Sequence, residues 1–282
     1  MPVGGRGCAV AVDGTPESER AVEWACANAE LCGDELLLVH VDAEPMPNGT
    51  CPGWLTDLAT RSQLHYGAPR VRVEVLTGRT VARLLEAAGR APLLVLGSRG
   101  HRALHDAVLG SVALGVATRS PCPAVVVRGA ADEVRRETVV AGVDGSADGD
   151  RALEFACEAA EALRCDVVAV QAAPDSAFIP GPFDHPDRAE LVARAERALA
   201  EAVAGFAPRH PDVVLRRLTS SMDPISALAE AAAGARLLVV GRRGSGGLSE
   251  ALLGSVSRGV LHRARCPVAV VPPDDGRSPG SG

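Results

Sequence analysis

Short apolar runs bounded by turn-forming residues alternate with longer amphipathic stretches along the chain. Such runs are typical of buried strands, and the amphipathic stretches are typical of helices that cover them. The predicted strands are Cys8–Val12, Leu36–Val41, Val71–Leu76, Leu93–Leu96 and Ala124–Val127, then Thr138–Val143, Val167–Ala172, Val213–Leu218, Leu237–Val240 and Val268–Val271. Strict alternation of strands and helices predicts an α/β fold with a parallel sheet covered on both faces.

In each half, a helix is predicted between consecutive strands. The first helix of each half has a hydroxyl residue suited to its N-cap, Thr15 or Ser146, and Pro16 suits a first turn. The other predicted helices lie near Trp54–His65, Val81–Ala88 and His105–Thr118, and near Arg188–Phe206, Ile225–Ala233 and Leu248–Arg263.

The second half of the chain repeats the first. Residues 10–30 and 141–161 are identical at ten of 21 aligned positions, and residues 97–116 and 241–260 at eleven of 20. A period of about 140 residues is too long for a solenoid, whose units are about 20–50 residues. The sequence therefore predicts two copies of one domain at 1–128 and 138–273, with a linker at 129–137 and a flexible tail at 274–282.

Composition narrows the candidate functions. The net charge is −6, and all 29 basic residues are arginine. An acidic balance argues against sequence-independent binding to nucleic acid, and the absence of lysine excludes the P-loop motif and lysine-based catalysis. No apolar stretch is long enough to cross a membrane, and residues 1–7 lack an apolar signal segment. We therefore expect a cytoplasmic protein that binds neither nucleic acid nor membrane.

The eight cysteines contain no Cys-x-x-Cys pair. We interpret them as structural thiols of a reducing compartment. One alternative is a zinc site, and another is redox sensing, for which Cys51 is the best candidate. His101, His105 and Asp106 would allow a metal site, but no other ligand cluster accompanies them. We interpret these three as surface residues and expect no metal site.

A glycine pattern, Gly-x2-Gly-x9-Gly-Ser, occurs in each copy where the fourth strand ends. Ligands of open parallel sheets bind in the crevice beyond the carboxyl ends of the strands. Glycine permits positive φ and close approach of a ligand, and successive main-chain N–H groups before a helix attract anions. The candidate phosphate-binding residues are Gly97, Arg99, Gly100, Gly110 and Ser111, and Gly241, Arg243, Gly244, Gly254 and Ser255. The alternative is that these glycines only turn the chain.

Asp13 and Asp144 end the first strand of each copy, in the same crevice. A carboxylate there can accept hydrogen bonds from a ribose hydroxyl or a base amino group. The alternative is an Asx-turn or a helix cap. Ala11 and Gly142 precede these aspartates by two residues, and we expect their small side chains to leave room for a flat base.

Together these features resemble the universal stress protein family in its tandem two-domain form. The resemblance rests on the Val-Asp-Gly-Thr/Ser start, the glycine pattern and the final strand that begins Cys-Pro, and it covers nearly the whole chain. It implies a five-stranded parallel, Rossmann-like sheet in each copy and a pseudo-dimer of the two halves paired through their last strands. One subgroup of the family binds ATP through the glycine motif, and both halves are similar to that subgroup.

The resemblance also implies roles for particular residues. Asp13 and Asp144 would contact the base or ribose, and main-chain groups of Val41 and Ala172 would contact adenine. The phosphates of ATP, with or without Mg²⁺, would be held by Gly97, Gly100, Gly110, Ser111 and Val112 in the first half and by Gly241, Arg243, Gly244, Gly254, Ser255 and Val256 in the second.

No paired carboxylates with acid–base spacing and no Gly-x-Ser-x-Gly elbow are present, so we expect no catalytic residues. The predicted function is a nucleotide-dependent regulatory module of the stress response. The expected partners are an adenine nucleotide, an unidentified protein and, as a candidate, a second copy in a homodimer. The alternatives are slow ATP hydrolysis or autophosphorylation at Ser111 or Ser255, a scaffold that binds no nucleotide and, more distantly, a flavin-binding domain like those of electron-transfer flavoproteins.

Overall fold

The computed structural model describes residues 7–33, 35–44, 51–66, 70–100, 109–128, 136–172, 188–206, 208–245 and 252–273. The chain divides into two units that separate between residues 131 and 132. Most of the predicted linker and the whole predicted tail lie outside the described residues. The first strand of the second unit begins at Arg136, inside the segment predicted as linker.

The first unit contains a parallel sheet of five strands. They are β1 (Ala9–Ala11), β2 (Leu36–Asp42), β3 (Val71–Thr77), β4 (Leu94–Gly97) and β5 (Ala124–Val127), in the spatial order β3-β2-β1-β4-β5. The helices are α1 (Pro16–Ala27), α2 (Ala29–Cys32), α3 (Gly53–Tyr66), α4 (Thr80–Ala88) and α5 (Ser111–Arg119). Helix α1 packs against α3, and α4 packs against α5.

The second unit repeats this arrangement. Its strands are β6 (Arg136–Gly142), β7 (Asp166–Ala172), β8 (Leu215–Ser220), β9 (Ala235–Gly241) and β10 (Val268–Val271), in the order β10-β9-β6-β7-β8. The described helices are α6 (Ala147–Leu163), α7 (Arg188–Ala204), α8 (Pro224–Ala231) and α9 (Ser255–Arg263). The predicted α/β fold with parallel strands in two tandem copies is confirmed.

The cores form where the apolar runs meet the helices. Val10, Leu38 and Leu94 are fully buried in the first sheet, as are Leu237 and Leu238 in the second. Burial of both sheet faces explains why these strands are continuous apolar runs rather than alternating ones. None of the helices in the described part of the chain is long and apolar enough to cross a bilayer.

Capping confirms the predicted starts of α1 and α6. Thr15 Oγ1 accepts a hydrogen bond from Ser18 N–H (3.3 Å), and Ser146 Oγ accepts one from Gly149 N–H (3.1 Å). Pro16 occupies the first turn of α1, where its missing N–H has no intrahelical partner to lose.

Several predicted element boundaries were wrong, and one helix was not predicted. Strand β8 begins two residues later than predicted, because Val213 N–H donates to His210 O in a turn (3.2 Å). The short helix α2 was missed: Asn28 Nδ2–H donates to Trp24 O (2.6 Å) and separates it from α1. Helices α5 and α9 begin at residues 111 and 255, whereas the pattern predicted starts at 105 and 248.

Candidate functional site

The carboxylate of the strand-end aspartate joins the first turn of the following helix. In the first unit, Asp13 Oδ1 accepts hydrogen bonds from Thr15 N–H (3.1 Å) and Thr15 Oγ–H (2.5 Å). In the second unit, Asp144 Oδ1 accepts the same two bonds from Ser146 (3.1 and 2.5 Å). The Asx-turn alternative is therefore correct as a structural role of both aspartates.

The same aspartates lie against the glycine loop that follows the fourth strand of each unit. Ser245 N–H donates to Asp144 Oδ2 (2.7 Å). A Cβ on Gly244 would lie 2.5 Å from Asp144 Oδ2, and a Cβ on Gly100 would lie 2.5 Å from Asp13 Oδ2. These two glycines are small because the loop backbone contacts a carboxylate. The structure thus brings the aspartates and the glycine loops together, as predicted.

The glycine that ends the fourth strand packs against the first turn of α1 or α6. A Cβ on Gly97 would lie 2.7 Å from Glu17 O, and a Cβ on Gly241 would lie 2.6 Å from Asp148 O. Both distances are shorter than real Cβ contacts, so any side chain would push the strand and helix apart.

The third glycine of the pattern closes the loop. Gly110 N–H donates to Ser98 O (2.8 Å), and Gly254 N–H donates to Arg242 O (2.9 Å). All six motif glycines lie within the described residues, and none of them has a positive φ. The positive φ that glycine permits is therefore not used at these six positions, and a side chain at each of them would be crowded by neighbouring groups. The glycines alone give no argument for a ligand.

Helices α5 and α9 begin without a side-chain cap. Their N-cap residues are Gly110 and Gly254, whereas α1 and α6 have hydroxyl caps. Ser111 and Ser255 follow as exposed first residues, with Val112 and Val256 partly buried behind them. An uncapped start leaves main-chain N–H groups and partial positive charge that favour an anion.

The arginines of the glycine loops already have acidic partners. Arg99 lies 3.5 Å from Glu17 Oε1, and Arg243 donates from its main-chain N–H (3.0 Å) and its Nε–H (3.3 Å) to Asp148 Oδ2. A phosphate would have to share these guanidinium groups with the carboxylates of α1 and α6. Their role in phosphate binding stays a prediction.

Arg128, which follows β5, was not predicted, because nothing in the sequence pattern marks it. Burial and the neighbouring positive charge of Arg99 lower its pKa. Two guanidinium groups thus lie close together near the ends of β4 and β5 in the first unit. Position 272, the equivalent in the second unit, is proline, so the two crevices differ in charge.

Main-chain hydrogen bonds show towards which neighbouring strand the N–H and C=O groups of each β2 residue point. Leu37 N–H donates to Cys8 O and Val12 N–H donates to Val39 O (each 2.9 Å), so the main-chain N–H and C=O groups of the odd-numbered residues point towards β1. The β1–β2 register ends at Val39. Because alternate residues of a strand bond to the same neighbour, the N–H and C=O of Val41 point past the end of β1.

The second unit has the same open position. The β6–β7 register ends at Gly142 and Val170, and Val143 N–H donates to Val170 O (2.9 Å). Ala172 is two residues further along, so its N–H and C=O point past the end of β6. Both residues predicted to offer main-chain groups to a base therefore have them directed into the crevice.

The expected space for a base beside Gly142 is filled by protein. A Cβ there would lie 3.3 Å from both methyl groups of Leu228 in α8. The small residue serves the packing of α8 on the sheet, which corrects the interpretation made for Gly142. Ala11, its counterpart in the first unit, is half-buried.

The first crevice contains a polar and aromatic cluster that sequence reasoning missed. His40 contacts Val12 O (2.8 Å) and Asp42 Oδ1 (3.2 Å), and Trp54 packs edge-on against its ring with centroids 5.0 Å apart. Trp54 also covers Gly14, where a Cβ would lie 3.5 Å from the indole. The sequence signal for this cluster is the pair of polar residues, His40 and Asp42, at the end of the otherwise apolar strand β2.

The other candidate chemistry gains little support. Seven cysteines are buried and free and only Cys51 is exposed, as the structural interpretation predicts. Among the residues that the structure describes, no three His, Cys, Asp or Glu side chains are grouped to hold a metal ion. His101, His105 and Asp106 lie outside the described residues.

Residues 6–128 and 135–272 each match the model of the universal stress protein family. The chain belongs to the universal stress protein family. Among its curated relatives, the universal stress protein Rv2005c of Mycobacterium tuberculosis is 34% identical over 285 residues, covering 94% of this chain and 96% of the relative. Universal stress protein Rv2623 of the same species is 32% identical over 288 residues, with 94% and 95% covered.

Solved structures support the same fold. A universal stress protein from Archaeoglobus fulgidus matches with a TM-score of 0.65 and 18% identity, over 96% of this chain and 97% of that one. A putative universal stress protein from Pseudomonas aeruginosa matches with a TM-score of 0.66 and 20% identity, over 96% and 94%. The predicted family and its tandem two-domain form are confirmed.

Proposed function

We propose that each half of this universal stress protein binds an adenine nucleotide, ATP in the first instance, and that the bound nucleotide regulates a protein partner in the cytoplasm. The observation that carries the proposal is the open peptide position at Val41 and at Ala172, directed past the end of the first strand of each unit. One N–H and one C=O on the same residue match the acceptor and donor on the Watson–Crick edge of adenine.

The phosphates are assigned to the uncapped starts of α5 and α9. At these helix starts no side-chain cap competes for the main-chain N–H groups of residues 111–112 and 255–256. A carboxylate accepts up to about four hydrogen bonds, so Asp13 and Asp144 can serve the fold and a ligand at once. A ribose hydroxyl is their expected additional donor.

The side chains around the proposed nucleotide site bear on how a magnesium ion would be bound there. The described residues contain no group of three His, Cys, Asp or Glu suited to a metal. A magnesium ion that accompanies ATP would be held chiefly by phosphate oxygens and water, as Mg²⁺ commonly is in nucleotide sites.

Regulation through this site requires that the nucleotide bind one state of the protein more tightly than another. A ligand shifts an equilibrium only by its difference in affinity for the two states. The universal stress protein family is generally one of regulators rather than of enzymes, and the sequence contains no paired carboxylates with acid–base spacing. We therefore propose binding, not turnover, as the primary activity.

The first test is mass spectrometry of the small molecules released when freshly purified protein is denatured. Co-purified ATP near one or two equivalents supports the proposal. Steady release of ADP under multiple turnover would favour the ATPase alternative. A chain that carries no nucleotide and has no measurable affinity for ATP would favour a non-binding scaffold.

Substitution of the exposed serines tests the assigned phosphate position. Ser255→Asp adds a negative charge at the first residue of α9, where the helix dipole favours it by about 0.3–1 kcal/mol. The helix is thus preserved while phosphate is repelled, and we expect a loss of affinity of about tenfold or more in the second half. Ser111→Asp should do the same in the first half, measured by calorimetry as one site lost per variant.

Ser255→Asn and Ser111→Asn are the matched controls, of the same size and without charge. Equal ATP affinity in the Asp and Asn variants would show that the phosphates lie elsewhere. These serines are better positions than the motif glycines. A side chain on Gly244 would meet the Asp144 carboxylate, and one on Gly254 would meet Arg242 O at 3.3 Å, so a larger residue at either position would disturb the loop itself.

A further inference from the structure

Two cysteines of the first unit lie side by side where β1 begins. Cys8 immediately precedes β1, and Cys32 is the last residue of α2. Cys8 N–H donates to Cys32 O (2.9 Å), and the two thiols also hydrogen-bond with each other. Residues that share a main-chain hydrogen bond have Cα atoms about 5–6 Å apart, the usual separation across a disulfide. A bond between the two sulfurs therefore needs little movement of the main chain.

The second unit fills the same two positions with apolar side chains. The residues aligned with Cys8 and Cys32 are Val139 and Leu163. Both are buried, so this part of the core packs without a thiol at either position. Packing alone therefore does not require the facing pair of thiols in the first unit.

Cys26 of α1 lies beside the pair. Burial, followed by the neighbouring Cys32, raises its pKa to about 11, and it also interacts electrostatically with Cys8. The thiol of Cys8 makes its hydrogen bond with Cys32. A cysteine also occupies the position equivalent to Cys26 in the second unit, Cys157. We therefore interpret Cys26 as a packing residue and Cys8 and Cys32 as the pair that is close enough to react.

We propose that Cys8 and Cys32 form a dithiol site that hydrogen peroxide oxidises to an intramolecular disulfide. One sulfur attacks a peroxide oxygen, the O–O bond breaks, and the cysteine becomes a sulfenic acid as the first water leaves. The other sulfur then attacks the sulfenic sulfur, the S–S bond forms, and the hydroxyl leaves as the second water. Two electrons pass from the sulfurs to the peroxide, and the two thiol protons end in the two waters.

Burial determines how fast this site reacts. Cys8 is 0% exposed and Cys32 is 1% exposed. The hydrogen bond with Cys32, followed by burial, raises the pKa of Cys8, so little of the reactive thiolate is present at neutral pH. Helix α2 has only four residues and carries the exposed Glu30, and short elements of this kind open locally at low free energy. We therefore expect oxidation to be slower than at the exposed Cys51 and to require sustained peroxide.

The disulfide would tie the end of α2 to the start of β1. It would close a loop of about 25 residues that contains all of α1, which restricts the unfolded chain and stabilises the folded unit. The first unit would thus resist unfolding more strongly when oxidised, whereas the second unit has Val139 and Leu163 in place of the pair. Disulfides of reducing compartments are commonly transient and redox-sensing, which fits such a device.

The experiment uses the full chain with Cys51→Ser, which removes the exposed thiol. The protein is treated with hydrogen peroxide, the remaining thiols are alkylated, and tryptic peptides are analysed by mass spectrometry. Cleavage after arginine places Cys8 in residues 7–20 and Cys32 in residues 21–61. We expect these two peptides to be joined with the loss of two hydrogen atoms. The urea midpoint, followed by tryptophan fluorescence, should rise by about 1 M, and dithiothreitol should reverse both changes.

The second unit supplies conservative variants for this test. Cys8→Val and Cys32→Leu introduce the residues of the second copy, and each should abolish the joined peptides and the peroxide-dependent rise in the urea midpoint. Cys26→Ala should retain both, because the bond does not involve Cys26.

Two results would overturn the proposal. One is that Cys8 and Cys32 remain open to alkylation after peroxide treatment and denaturation, or become sulfinic acids without any joined peptide. The other is a disulfide confined to residues 21–61, which would join Cys26 and Cys32 instead. The peptide map of the Cys51→Ser chain decides both points without a substitution in the core, so the test does not depend on how well the core variants fold.

Discussion

Replacing Gly97 by alanine tests whether the first glycine of the motif is required by packing rather than by a ligand. The added Cβ would lie 2.7 Å from Glu17 O and 2.8 Å from the carbonyl carbon. Ordinary contact begins at 3.4 Å, so the methyl group is about 0.7 Å too close to a main-chain group that cannot rotate away. Overpacking of this kind costs about 1–3 kcal/mol.

The assay is urea unfolding followed by tryptophan fluorescence. Both tryptophans of the chain, Trp24 and Trp54, lie in the first unit, so the signal reports that unit. With a slope of about 1–3 kcal/mol per molar urea for a domain of this size, a loss of about 2 kcal/mol lowers the midpoint by about 1 M. The glycine at 53 provides the control, because a Cβ there meets nothing within 4 Å.

The two explanations of the motif give opposite results in ligand-free protein. Packing predicts that Gly97→Ala is destabilised without any nucleotide present, and that Gly53→Ala is not. An unchanged midpoint and slope for Gly97→Ala, combined with lost ATP affinity, would refute the packing argument and return the glycine to the binding site.

Two further predictions concern the charged and thiol groups of the fold. Burial, followed by the neighbouring charge of Glu154, raises the pKa of Glu158, so its ionised form opposes folding above that pKa and the opposition disappears below the pKa of the unfolded chain, about 4.3. Glu158→Gln should therefore raise the calorimetric Tm of the second unit by about 1–3 °C at pH 7, and an equal gain at pH 4 would contradict this assignment. Burial raises the pKa of Cys26 to about 11 and, in the second unit, that of Cys157 to about 12, so a thiol reagent should modify only the exposed Cys51 rapidly in native protein. Cys51→Ser should abolish the fast phase, and a second fast thiol would show that the burial is incomplete.

Much of the architecture was predictable because it depends on local pattern. Buried parallel strands are continuous apolar runs, and β2, β3, β5 and β10 were found within a residue of their predicted bounds. The caps Thr15 and Ser146 were recognisable because a hydroxyl before an amphipathic run satisfies main-chain N–H groups within three residues. The duplication needed only a comparison of the chain with itself.

The starts of α5 and α9 were not predictable in the same way. Periodicity continued towards residue 105 in the first copy, but a hydrogen bond from Gly110 N–H to Ser98 O ends the loop and moves the first helical residue to Ser111. That bond joins residues twelve apart in sequence, and no local pattern contains it.

By itself, the amino-acid sequence determined the family, the two α/β copies and the residues that surround each crevice, because these follow from apolar periodicity and a repeated motif. Only the tertiary structure decided what those residues contact. Gly97 and Gly100 are small because of Glu17 and Asp13, which are distant along the chain and adjacent in space. The open peptide group of Val41 depends on where the β1–β2 pairing stops. The end of a pairing is set by two strands together, so neither strand's sequence reveals it alone.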